Sequence, residues 1–139
     1  MTQQAIRSDI VVRLAPRLAA DALRSLAERR LAFAIRASCR LPTLEVDVTL
    51  LRDVVVALTL SRDGFCEVSW QPADGGPFPR LGGELRVADG GTTTRLQFEG
   101  AYDDLAARRG DVVDAELGFR LAQATARAML ETVVLRLDA

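Results

Sequence analysis

Residues 78–102 read FPRLGGELRVADGGTTTRLQFEGAY, and shortly afterwards the chain enters a stretch, 111–137, that holds no proline and a single glycine. In the first stretch Leu81, Gly83, Leu85 and Val87 share one face of an alternating segment, and Leu96, Phe98, Gly100 and Tyr102 share one face of the next. That is the period-2 pattern of two strands, with ADGG as the turn between them. In the second stretch the lack of breakers predicts one helix from Asp111 to Leu137, about 27 residues and ~40 Å long at 1.5 Å per residue. A hairpin therefore leads into a long closing helix.

Working back from that hairpin, the signal stays β as far as Pro42. Leu44, Val46, Val48 and Leu50 form one alternating series; Val54, Val56, Leu58 and Leu60 a second; Cys66, Val68 and Trp70 a third. Turns are expected at Arg52–Asp53 and Arg62–Gly64, and links this short permit only antiparallel neighbours, a meander. QPADGGPFP, 71–79, carries too many prolines and glycines for a tight hairpin and reads as an irregular, exposed loop. Upstream, SDIVVRL places Ile10, Val12 and Leu14 on one side of a short strand. Pro16 then suits a first helical turn, and Leu18, Ala22, Leu23 and Leu26 predict a helix from Pro16 to about Arg30. LAFAIRA, beginning at Leu31, fits a short second helix and a strand equally, so 31–39 stays open between the two.

Composition narrows the function. The 139 residues suit a single domain spanning 1–139. Hydrophobic residues make up 49% but aromatics only 5%, so the interior is built of Leu, Val and Ala. The net charge is -1 and the 18 basic residues are all arginines, scattered along the chain, which argues against a nucleic-acid partner. No histidine is present, which removes the usual general base and the commonest zinc ligand; no cofactor or metal is implied. Cys39 and Cys66 are too few for a thiolate cage and read as reduced thiols. The longest purely apolar run, Val54 to Leu58, is far short of the ~20 residues of a membrane helix, so no membrane insertion and a cytoplasmic location are expected.

On the long helix, Glu116, Arg120, Gln123, Arg127 and Glu131 form a polar stripe, with Glu116 and Arg120 in the favourable order for a pair. The other side carries Gly118, Ala122, Thr125 and Met129, flanked by Leu117, Leu121 and Ala128. Such small residues permit either a close approach to a sheet or a void against it.

The element order is that of an α+β helix-grip fold, a curved antiparallel sheet of about six strands wrapped around a long C-terminal helix. The residues also resemble a family. VSWQPADGGPFPRLGGELRV, TTTRLQFEGAY and GDVVDAELGFRLAQATARAML are similar to the C-terminal half of bacterial SRPBCC, or START-like, Bet v 1-like proteins. The resemblance rests on Trp70, Phe78, Pro79, Gly100, Tyr102, Gly110, Asp114, Ala122, Ala124 and Thr125, and covers about Val68 to Leu137. After the tyrosine, DDLAARRG stands where relatives often carry a Pro-Pro-x-Gly turn. The resemblance implies a cavity between sheet and helix for an apolar small molecule, lipid- or polyketide-like; some members of the group are polyketide cyclases or aromatases.

The expected lining is Trp70, Phe98, Tyr102, Gly118, Ala122, Thr125 and Met129, aromatic bodies with few polar tips. A cyclase-like enzyme would instead need Tyr102 or a carboxylate to move protons. Glu99 has outward parity, Asp103 and Asp104 lie in a loop, and Asp111 and Asp114 sit where they cap the helix. No pair of these acids has the spacing that would raise a pKa. Both DGG copies read as turns, since neither opens a helix with a phosphate loop's lysine. Arg108 and Arg109 are candidates for meeting an anionic group at a cavity mouth. A third reading, association as a homodimer or with another subunit, would use an apolar outer sheet face at Leu51, Val55 and Ala57.

Overall fold

A computed structural model describes residues 3–30, 32–40, 49–60, 66–73, 81–91, 93–103 and 112–137. Strand β1 (Gln3–Val12) is followed by helix α1 (Pro16–Glu28), strands β2 (Ala32–Arg40), β3 (Thr49–Leu60), β4 (Cys66–Pro72), β5 (Leu81–Asp89) and β6 (Thr94–Asp103), and helix α2 (Val112–Leu137). The six strands form one antiparallel sheet in the order β1-β6-β5-β4-β3-β2, so β2 to β6 are a meander and β1 adds to its far side.

Two expectations are corrected. Arg52 and Asp53 do not turn the chain: both lie inside β3, opposite Ala37 and Arg36 of β2. β2 pairs with both residues, and on the other side the Ala73 N–H donates to the Asp53 carbonyl at 3.0 Å, carrying the β3–β4 ladder one step beyond Val54–Pro72. Consequently Thr49 and Leu50 begin β3 rather than end a separate strand, while 41–48 lie outside the described residues. The open segment 31–39 is a strand from Ala32 onwards, as part of β2, with Phe33 and Ile35 buried and Ala32 and Ala34 exposed, while Leu31 lies outside the described residues. β1 starts earlier than its pattern suggested, at Gln3, because β6 offers it a partner for every residue from Asp103 back to Thr94.

Helix α1 begins at Pro16, where the missing N–H costs nothing, and ends at Glu28, with Arg29 as its C-cap and Arg30 just beyond. Arg30 has φ 50°, the left-handed conformation that closes helices and usually falls to glycine. Arg30→Gly should therefore stabilise the protein by about 0.5–1 kcal/mol, read as a melting point raised by a few degrees. The β5–β6 turn is built the same way: Gly91 has φ 85°, its N–H donates to the Asp89 carboxylate at 2.9 Å, and the Gly90 N–H donates to the Thr93 carbonyl at 2.7 Å. This copy of DGG is a turn, as its sequence implied.

The two helices divide the concave face. α1 lies on the middle strands β3, β4 and β5, burying Ala19, Leu23 and Ala27. α2 rests on the two edge strands, β1 and β2, and so spans the curved sheet from edge to edge. Arg127 fastens it: its guanidinium donates to the Asp9 carbonyl of β1 at 2.9 Å and pairs with Glu131 at 3.2 Å. The polar stripe thus has a second use besides solvation. Arg127 and Glu131 are exposed and Arg120 and Gln123 half-buried; the side chain of Glu116, and with it the expected pair with Arg120, lies outside the description. No helix among the described residues is long and apolar enough to cross a membrane.

Candidate functional site

The strand register assembles the inward side chains into rows. One row runs Phe33, Val56, Trp70, Leu81, Tyr102 across five strands, all buried. The next runs Leu58, Val68, Gly83, Gly100, Ile6. Tyr102 and Trp70 flank Leu81, two strand spacings or about 10 Å apart.

The second row explains how an aromatic interior fits so few rings. Gly83 and Gly100 face each other in the β5–β6 ladder. A Cβ on Gly83 would lie 2.6 Å from the Gly100 Cα and 2.8 Å from the Phe98 ring, and one on Gly100 would lie 2.5 Å from the Gly82 carbonyl oxygen and 2.7 Å from that ring. The two glycines let β5 and β6 approach closely and leave a floor on which the Phe98 ring lies. Phe98 then reaches Trp70, ring centroids 5.6 Å apart and tilted by 32°, within the range of favourable aromatic pairs.

On α2 the buried stripe changes character along its length. Ala122, Thr125 and Ala126 precede Arg127; Met129, Leu130, Val133 and Leu137 follow it. The small half is the one closer in sequence to the Tyr102 end of β6. Of the seven expected lining residues, Trp70, Phe98, Tyr102, Ala122, Thr125 and Met129 are all buried. Gly118 lies in α2, where only the helix course is described. Phe33 is hidden in the sequence by the open reading of 31–39; Val56 and Leu81 have the right alternation, and their register with Trp70 comes from the strand pairing. The glycine pair was legible in principle: counting outwards from the turn, Asp89 faces Thr94, and the same count puts Gly83 opposite Gly100.

The acid candidates fall away from this interior. Glu99 points outwards, 42% exposed, between Arg7 at 3.3 Å and Arg86 at 3.6 Å. Exposed pairs of this kind contribute little, about 0–1 kcal/mol. Asp104, Arg108, Arg109 and Asp111, with Phe78, Pro79 and Gly110 of the family pattern, lie outside the described residues, as do the side chains of Asp103 and Asp114. The outer face that an association reading would use holds Val55, exposed, and Ala57, half-buried, among Asp53, Glu67, Ser69 and Glu84, while the side chain of Leu51 lies outside the description.

Cys66 is buried and unbridged at the other end of β4, in a depression of about 190 Å³ that it shares with Leu23 of α1, Leu60 and Leu85. Burial, and secondarily the nearby Glu67 carboxylate, push its thiol up from 9.0 to about 12. A thiol so placed is neutral at physiological pH and is not a nucleophile. Alkylation of Cys66 by iodoacetamide at pH 8 should be about 100-fold slower than that of an unhindered thiol, read by peptide mass mapping. Since the folded state favours the neutral form, its contribution to stability is intact below pH 9 and is lost as pH rises from 9 towards 12.

No family model and no curated protein matches the chain. Solved structures do. The chain is similar to the ZhuI aromatase/cyclase from Streptomyces sp. R1128, with a TM-score of 0.52 at 13% identity, over 99% of this chain and 94% of that one. It also aligns with the KanY protein, TM-score 0.48 at 16% identity over the whole of both chains, and with Ara h 8.0201, TM-score 0.41 at 6% identity over 87% of this chain and 99% of that one. Together with the sheet and closing helix described above, the first likeness establishes the helix-grip fold. At such identities the likeness speaks to architecture, and the chemistry has to come from this chain's own residues.

Proposed function

We propose that the protein, as a single START-like domain, holds a hydrophobic small molecule between the concave sheet and the small-residue half of α2. The observation that carries this reading is the distribution of size along α2: alanines and a threonine before Arg127, large aliphatic side chains after it. α2 rests on the edge strands, and α1 takes the middle strands at the Cys66 end. The row of Phe33, Val56, Trp70, Leu81 and Tyr102 is then left to be roofed by the small half of α2. The lining would be apolar with two polar tips, the usual make-up of a small-molecule site. The aromatase/cyclase named above supports a guest of polyketide-like rather than ionic character.

Binding is favoured over proton transfer by the polar inventory. Among the described residues the buried polar side chains besides Trp70 and Tyr102 are Thr94 and Thr125, neither an acid. Of the two proton carriers a cyclase-like enzyme could use, Tyr102 is buried in the row, where the described residues include no buried carboxylate, and Glu99 is on the convex face. The test is native mass spectrometry of gently purified protein combined with titration of its single tryptophan by apolar compounds. Retained mass and a saturable change in Trp70 emission are expected; neither, across one-, two- and three-ring compounds, would refute the proposal.

A further inference from the structure

Among the described residues, the indole Nε1 of Trp70 is buried and has no hydrogen-bond partner, in a side chain only 2% exposed. Buried N–H groups are paired in the great majority of cases, because an unmet donor forfeits its hydration without return. The surroundings explain why the fold does not meet this one. Its cross-strand neighbours are Val56 and Leu81, its ring neighbour is Phe98, and the carbonyls of β3, β4 and β5 are engaged in their ladders. None of these side chains carries an acceptor. Tryptophan is also a costly choice for a purely space-filling role here, since phenylalanine would pack against Phe98 without leaving a donor behind.

From this we infer that the guest carries an oxygen acceptor, a carbonyl or ether oxygen on a flat unsaturated body, and that Trp70 Nε1–H donates to it. The inference rests on the binding proposal above and deepens it: a ligand that is hydrocarbon throughout, such as a plain acyl tail, would leave the donor unmet. A planar carbonyl compound satisfies both features of the site, presenting its face to the Trp70–Phe98 pair and its oxygen to the indole edge.

The experiment uses the full chain and matched probes that differ by the carbonyl alone: 1-tetralone against tetralin, and fluorenone against fluorene. Because the chain has one tryptophan, ¹⁵N-labelled protein gives one indole N–H cross-peak. The expected result is that each ketone binds about tenfold more tightly than its hydrocarbon, equivalent to 1.4 kcal/mol, and moves the indole proton downfield by a few tenths of a ppm or more. Trp70→Phe should remove the preference while hydrocarbon binding persists; if that variant folds poorly, the wild-type cross-peak alone decides. Equal binding of ketone and hydrocarbon with an unmoved cross-peak would overturn the inference and leave the cavity reading standing. A cross-peak that shows contact with a long-lived water and ignores the ketones would mean a trapped water only, and would overturn it too. No binding by any probe would overturn both readings.

Discussion

Gly83→Ala is expected to lower stability by about 3 kcal/mol, some 10 °C in melting temperature for a chain of this size, while Gly82→Ala, one residue away, leaves it unchanged or slightly raised. The added atom is the same in both. At Gly82 a Cβ would meet only the Val68 carbonyl oxygen, at 4.0 Å. There the removal of backbone freedom from the unfolded chain acts alone, and favours the variant by a few tenths to 1 kcal/mol. At Gly83 the new atom would sit 2.6 Å from the Gly100 Cα and against the Glu99 carbonyl oxygen, both backbone, and 2.8 Å from the Phe98 ring. Backbone cannot swing aside, so β5 and β6 must separate or Phe98 must leave its floor and disturb Trp70. Gly100→Ala should behave like Gly83→Ala, and the two together should cost less than their sum, since one separation of the strands relieves both contacts. Urea unfolding of the three single variants and the double would check this. Equal midpoints for Gly82→Ala and Gly83→Ala would show that the strands do not approach as described.

That pair also marks where reading the chain as a string succeeds and where it stops. Period-2 alternation found β4, β5 and β6 and the inward parity of Val68, Trp70, Phe98 and Tyr102, because each of these strands buries one face, and the short β5–β6 turn fixes the register between the last two. Alternation failed at Arg52–Asp53 for a definite reason. A strand held in an unbroken ladder with its neighbour β2 tolerates two charged residues, and two charges between apolar runs look, to local chemistry, like a turn. LAFAIRA stayed open because alanine serves both periods; pairing with Val54 and Val56 of β3 decides it, and that is tertiary information. The candidate site had the same split. Six of the expected lining residues are buried, but that Phe98 rests on two facing glycines, and that Trp70 lacks an acceptor, depends on neighbours from three strands. The sequence contains those neighbours without saying that they meet.

Whether α2 covers a hollow can be settled by enlarging its buried face at two places. Ala122 and Val133 are both fully buried on the helix, eleven residues apart, one in the small half and one in the large half. Where a core is packed, even an added methylene forces side chains off their rotamers at about 1–3 kcal/mol; where space exists, added carbons gain apolar contact instead. Val133→Leu, among Met129, Leu130 and Leu137, should therefore destabilise by about 1–2 kcal/mol and leave the affinity for 1-tetralone unchanged. Ala122→Leu adds more volume, yet is expected to keep the melting temperature within about 3 °C and to weaken tetralone binding at least tenfold, because its side chain takes the place of the guest. Stability falls at one site and affinity at the other, so general loosening of the helix cannot imitate the pattern. If Ala122→Leu unfolds the protein as readily as Val133→Leu does, the small half of α2 is tightly seated on the sheet, and its alanines serve close approach rather than a guest.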